Sequence, residues 1–344
     1  MSELQTLITR LKEMQKGCED KCIDLQTLKF EAKESEMRLY EVKSGLPTAL
    51  GQSYYFKSDP KNPNDPKITH AAKQFTTLAG VPYSFFSKNP EHMKNQIIGC
   101  WLPTLKPEKA QVLVKLRKAQ NGSIIRAILP VEFTNISNVD AISALTDAIG
   151  EEFTMEFAIG DERDDPILHV RLISNDTFDA CGEKCSTGFS IIVSELGASP
   201  ISVETMLYRV SSKASMIASY GGEGYFTSNY EGIQSTDLKD LFPKLVNNLK
   251  NQLPELKDKI QSAKDMVTKK EDIKELLRGL RLRKGLSEKF HTLLFQELEN
   301  DQSVANRWDF VNKMSVLAKD FDVVARLRVE KAAGELIGLC FEKV

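Results

Sequence analysis

Two thiol pairs have the clearest capacity for chemistry in this chain. Cys18-Glu-Asp-Lys-Cys22 and Cys181-Gly-Glu-Lys-Cys185 each space their thiols four residues apart, and four thiolates can close a tetrahedral zinc site. The first pair falls in what reads as a continuous helix and lacks a supporting turn, so free thiols are expected and no metal. The four histidines, His70, His92, His169 and His291, lie outside hydrolase and metalloprotease motifs. A general base needs a reacting group within reach; none is indicated beside His169, which reads as structural. Between Glu151 and Asp165, seven carboxylates face the single Arg163. Hard oxygen ligands suit magnesium, but a run ending at Pro166 between two predicted strands reads as a solvated hairpin loop. Gly221-Gly222-Glu223-Gly224 has no Lys-Ser/Thr after it and fails as a phosphate loop. No catalytic residue and no cofactor follow from these groups, so the expectation is a protein that is not an enzyme.

The basic residues are more informative. A predicted hairpin presents Lys115, Arg117, Lys118 and Arg126. Lys269, Lys270, Lys274, Arg278, Arg281, Arg283, Lys284 and Lys289 outnumber four acidic residues over the same C-terminal stretch. A groove that tracks a sugar-phosphate backbone needs such local charge, and aromatic rings nearby can stack on bases. Tyr208, Tyr220, Tyr225, Phe226 and Tyr230 are candidates. A formal charge of -2 with a pI near 6.2 excludes a globally basic nucleic-acid coat, so phosphate contact requires a local patch.

The 344 residues are enough for about two domains with a sizeable core. Leu4, Leu7, Ile8, Leu11 and Met14 are helically spaced; the stripe thins, then resumes at Ile23, Leu25 and Leu28. Residues 1–43 therefore read as one N-terminal amphipathic helix. Residues 44–66, rich in Gly and Pro, read as a linker. Helices are predicted from Thr69 to Ala79, Glu91 to Cys100 and Asn138 to Ile149. A hairpin is predicted at 112–129, and strands at Phe153 to Ile159, Ile167 to Ile173, Gly188 to Ser194 and Ser202 to Val210. Residues 67–234 thus form an α+β core with a largely antiparallel sheet and flanking helices. From Ser235 the leucine spacing is helical, giving a helical C-terminal domain over 235–344. The longest apolar runs fall far short of a bilayer span. Six cysteines without a leader pattern fit reduced thiols in a cytoplasmic protein.

Several motifs in order carry a family resemblance: Ile125-Arg126-Ala127-Ile128-Leu129, His169-Val170-Arg171-Leu172, Gly188-Phe189-Ser190-Ile191 leading to Ser194-Glu195-Leu196-Gly197, and Tyr208-Arg209-Val210. Over residues 68 to 235 the chain resembles the uncharacterised phage and plasmid-like proteins grouped as domain of unknown function nine-three-two. Where that family commonly has Cys-Thr-Asn-Gly after the Tyr-Arg dipeptide, this chain has Ser211-Ser212-Lys213-Ala214. The resemblance implies a mobile-element origin and no established activity.

The functional expectation is a phage-encoded, homo-oligomeric protein of the host cytoplasm that binds single-stranded DNA and anneals strands. Its phosphate contacts are drawn from Lys115, Arg117, Arg126, Arg171, Arg209, Lys213, Arg278, Arg281, Arg283 and Lys284, with Tyr208 or Tyr220 stacking on bases. Alternatively Arg126, Arg171 and Arg209 are ion-pair partners of Glu195 and Glu204, and the chain is an interaction or assembly protein that binds a virion component or host factor.

Overall fold

The computed structural model describes residues 3–34, 36–42, 50–56, 69–120, 122–134, 136–149, 151–159, 167–217, 225–228, 235–267, 272, 275–276, 278–279, 286–300, 304, 306–321 and 323–338. Helix α1 (Glu3–Met14) opens the chain and ends at Gly17, whose φ of 75° suits a residue without a Cβ. The helix expected to continue to residue 43 is instead three strands: β1 (Cys18–Asp24), β2 (Leu28–Lys33) and β3 (Glu36–Val42). Leu28 and Ala32, then Met37 and Leu39, are buried at a period of two, the pattern of a half-buried strand. The segment expected as a linker contains β4 (Leu50–Tyr55), whose Tyr54 is buried together with the following Phe56.

After β4 come α2 (Thr69–Leu78), α3 (Tyr83–Phe86), α4 (Glu91–Trp101) and α5 (Pro107–Ala110), then the hairpin β5 (Gln111–Ala119) and β6 (Gly122–Pro130). The first sheet runs β1-β5-β6-β4-β3-β2, antiparallel except for β4 against β6. Its two ends, β1 and β2, are joined through the single turn Leu25–Thr27. On a flat sheet β1 and β3 would stand four strand spacings apart, about 19 Å. Yet Lys21 Nζ on β1 lies 3.4 Å from Glu41 Oε1 on β3 and 2.8 Å from the Tyr54 hydroxyl on β4. The sheet therefore curls into a barrel in which β1 and β2 are two halves of one bent strand.

Ile23, Leu28, Leu39, Tyr54, Val114 and Ile124 share the barrel core, and Phe75 of α2, Phe86 of α3 and Ile98 of α4 join it. Asn95 of α4 accepts from the Ala32 N–H at 2.6 Å and donates to the Ala32 carbonyl at 3.0 Å, so β2 has polar partners for both backbone groups there.

The second sheet is antiparallel, in the order β7 (Phe153–Ile159), β8 (Ile167–Ala180), β9 (Glu183–Ser194), β10 (Ile201–Arg209), β11 (Ala214–Ile217). A short strand, β12 (Tyr225–Ser228), pairs with the first half of β10 while β11 pairs with the second. Against one face lie Leu7 and Leu11 of α1, Ile142 and Leu145 of α6 (Asn138–Ile149), and Ala127 and Leu129 of β6. The same apolar cluster thus joins barrel to sheet, and the boundary expected at residue 67 runs through the barrel. The C-terminal helices α7 (Ser235–Asp265), α8 (Glu288–Asn300), α9 (Arg307–Leu317) and α10 (Val323–Leu336) pack on the second sheet. Cys185, Leu207 and Met216 of that sheet share a core with Leu256, Phe290, Trp308 and Ala333. The architecture is α+β, largely antiparallel, with an N-terminal helix and C-terminal helices. Among the described residues no helix is long and apolar enough to cross a membrane.

Candidate nucleic-acid interface

The arginines expected to line one phosphate-binding face sit on two different sheets and point into the fold. Arg126 of β6 is 3% exposed and donates from Nη2 to Glu195 Oε1 at 3.0 Å. Glu195 Oε2 accepts from Gln15 Nε2 at 3.1 Å and the Asn138 N–H at 3.3 Å. Burial pushes the Glu195 carboxyl up, but Arg126 and these donors outweigh it and hold the group below its ordinary value. Arg171 of β8 donates to Glu330 of α10 at 2.5 Å, and Glu330, fully buried, also accepts from Arg326 at 2.9 Å. Arg209 Nε donates to Glu183 at 2.5 Å, and the Tyr208 hydroxyl to Glu156 at 2.9 Å. Lys115 is buried with Nζ 3.1 Å from Asp20. A guanidinium or ammonium withdrawn from water requires such a carboxylate. These five side chains are paired within the fold, so their placement lends no support to the phosphate or base contacts expected of them. Arg126 meets Glu195 as the ion-pair alternative expects, whereas Glu204 takes Lys331, at 2.7 Å.

Of the remaining candidates, Arg117 is half-buried on β5, Lys213 is exposed in the β10–β11 turn at φ 49°, and Arg278 is exposed. Tyr220, Arg281, Arg283 and Lys284, like the carboxylates from Asp161 to Asp165, lie outside the described residues. Cys18 and Cys22 stand on β1, Cys181 and Cys185 on the β8–β9 hairpin, so the two thiol pairs belong to different sheets. Cys185 is buried, and desolvation pushes its thiol up to about 11. Among the described residues no group of three or more His, Cys, Asp or Glu side chains is placed to hold a metal ion. His169 is buried and meets the Ser190 hydroxyl at 2.8 Å. Burial, with Arg171, Arg326 and Lys331 nearby, holds its imidazole well below its ordinary value.

A cleft of about 370 Å³ opens between barrel and second sheet, lined by Cys18, Glu19, Asp20, Lys115, Arg126 and Glu195 among others. Small-molecule sites are mostly apolar with a few placed polar groups. This cleft is the reverse, and its cations are already matched to carboxylates.

A different surface combines exposed basic groups with aromatic rings. Because Met37 and Leu39 point into the barrel, Arg38 and Tyr40 of β3 point out. Cross-strand register sets two rows on this outer face: Lys29, Tyr40 and Ser53, then Glu31, Arg38 and Tyr55. Rows two residues apart are separated by about 6.8 Å. Lys29 and Lys33 are exposed, and Tyr40 is half-buried. The Arg38 guanidinium lies 5.5 Å from the centre of the Tyr40 ring, donates from Nε to Glu31 Oε2 at 2.7 Å, and hydrogen bonds with the Tyr55 side chain. Tyr55 in turn lies over β6: a Cβ on Gly122 would come within 3.0 Å of its ring. The sequence signal for this surface was a period-two pattern in Leu28-Lys29-Phe30-Glu31-Ala32 and Met37-Arg38-Leu39-Tyr40, concealed by residues that also favour helix.

Comparison of the chain with protein-family models, curated proteins and solved structures finds no match in any of the three.

Proposed function

We propose that this is a phage-encoded protein that binds single-stranded DNA on the outer face of its barrel and promotes strand annealing. The observation that carries the reading is the placement of Lys29, Arg38 and Tyr40 across β2 and β3, with the buried Tyr55 of β4 hydrogen-bonded to Arg38. Counting the bent β1/β2 as one strand, the barrel order is 1-2-3-5-4-1, with strands three and five parallel. That is the order of the five-stranded Greek-key barrel called the OB-fold, whose second and third strands commonly carry oligonucleotides or oligosaccharides. Here those strands are β3 and β4. Basic side chains beside an aromatic ring favour a nucleic acid over a sugar chain, because phosphates supply the charge and bases the stacking surface. Fold alone carries no function; these side chains are what support it. The phage origin rests on the sequence resemblance.

Fluorescence anisotropy with labelled single- and double-stranded oligonucleotides at low and moderate salt tests the reading, with light scattering for mass. Expected is a salt-sensitive preference for single strands by an oligomer. Tyr40→Ala should weaken binding by about 1–3 kcal/mol, the worth of one stacked base, and Lys29→Ala should lower the salt slope by about 0.7. Absence of binding at low salt would remove the nucleic-acid reading and leave a protein-interaction role.

A further inference from the structure

Arg38 occupies both positions that a nucleotide would use on this face. Its guanidinium is held by the Glu31 carboxylate, through Nε at 2.7 Å and again through Nη2. Its plane of positive charge lies 5.5 Å from the centre of the Tyr40 ring. Glu31 and Arg38 are opposite one another in the β2–β3 register, so the pairing is fixed by the strands. Their side chains are 32% and 25% exposed, so solvent and a polymer can reach both.

Building on the single-strand reading above, we infer that Glu31 is a built-in competitor for the nucleic-acid phosphate. In the free protein its carboxylate takes the fork of Arg38 that a phosphate would take, and the guanidinium covers the ring on which a base would stack. Binding then exchanges one anion for another. A phosphate draws Arg38 off Glu31, the ring is uncovered, and Glu31 is left facing solvent and the exposed Lys29 and Lys33 of its own strand. Carboxylate and phosphate suit the same guanidinium geometry, which makes the exchange close to balanced. The consequence is an affinity below what the face could deliver, and release that stays easy, as an annealing protein needs when two strands pair and leave it.

The test is Glu31→Gln, which keeps the side chain's size and removes its charge. Binding of an oligo-dT to wild type, Glu31→Gln, Arg38→Ala and the double variant is measured across a salt series, with thermal unfolding of each to confirm the fold. Freeing one surface ion pair should tighten binding by about two- to fivefold. The salt slope should steepen by up to about 0.7, because a glutamine, unlike the carboxylate that Arg38 vacates, takes up no cation when the phosphate arrives. In the Arg38→Ala background the gain from Glu31→Gln should shrink to nothing, as coupling between the two residues requires. Unchanged affinity and slope in Glu31→Gln overturn the proposal, and so does a gain that persists undiminished without Arg38, which would mark general electrostatics. No binding by wild type at low salt overturns instead the single-strand reading itself.

Discussion

At the scale of single residues, Glu195 and His169 show two opposite ways of tolerating burial, and both make stability depend on pH. Glu195 stays charged because donors from three elements converge on it: Arg126 from the barrel, Gln15 beyond α1, and the Asn138 N–H at the start of α6. His169 stays neutral because water is excluded and the charges that face it from β8 and α10, Arg171, Arg326 and Lys331, are cationic. A buried imidazole whose value is depressed binds fewer protons folded than unfolded, so its contribution is complete above the ordinary 6.5 and fades as pH falls below it. A carboxylate whose value is depressed contributes above its ordinary 4.5 and loses that contribution as pH falls through the folded value. Urea unfolding measured from pH 8 downward should therefore show stability declining first below about 6.5 and again below about 4.5. Glu195→Gln should lower stability at neutral pH by about 3 kcal/mol, since it leaves the Arg126 charge buried without its counter-ion, and should flatten the second decline. A profile flat between pH 7 and 5 would show that His169 is not a buried neutral group.

At the scale of elements, close backbone approach explains two glycines that lie inside regular structure. A Cβ on Gly188 of β9 would fall 1.9 Å from the Leu172 carbonyl oxygen, and one on Gly334 of α10 would fall 2.0 Å from the Ile217 carbonyl oxygen of β11. The neighbouring atoms are backbone, so sheet or helix must shift. Gly188→Ala and Gly334→Ala should each cost about 2 kcal/mol or more, well beyond the few tenths gained from a less flexible unfolded chain. Thermal unfolding checks this, and a neutral or stabilising result would mean these contacts relax freely.

Much at this scale was legible in the sequence. The β7 strand and α6 fall where Phe153 to Ile159 and Asn138 to Ile149 placed them, because apolar period and local propensity agree there. The N-terminal strands were not legible. The run Glu31-Ala-Lys-Glu-Ser-Glu-Met-Arg-Leu-Tyr-Glu-Val-Lys43 is built from good helix formers, yet its described residues pair as the β2–β3 hairpin and with β4, whose other neighbour, β6, lies some seventy residues further along the chain. Non-local pairing overrides propensity, and local reading does not see it. The ion pairs follow the same rule: Arg171 and Glu330 stand 159 positions apart, so nothing near Arg171 in the sequence marks it as interior.

At the scale of the whole molecule, the barrel and the helix-covered second sheet are joined by one apolar seam. Ala127 and Leu129 belong to the barrel's β6, while Leu168, Val170 and Phe189 belong to the second sheet, and all share a core. The Arg126–Glu195 pair crosses the same seam, linking β6 to the segment after β9. Since β6 is paired on both sides, by β5 and β4, and β9 is central in the second sheet, the junction engages no free strand edge. Neither half can lose its fold without exposing the other's apolar face, so the described core should unfold as one cooperative unit. The chain's two tryptophans provide a reporter for each half. Trp101 packs against Phe75 at the barrel's helical end, with ring centres 5.6 Å apart, and Trp308 is fully buried in the C-terminal helical core. In Trp308→Phe only the barrel reports by fluorescence, and in Trp101→Phe only the helical layer does. Within each single-tryptophan protein, the fluorescence midpoint in urea should coincide with the midpoint from far-ultraviolet circular dichroism, whatever the absolute cost of the substitution. If barrel fluorescence moves at a denaturant concentration distinct from the circular dichroism, the barrel is an autonomous unit and the seam is a docking contact. Coincidence in both would mean that a single-stranded ligand on the outer face of β3 and β4 stabilises the second sheet and its helices along with the barrel, because ligand binding to one part of a cooperative fold raises the stability of all of it.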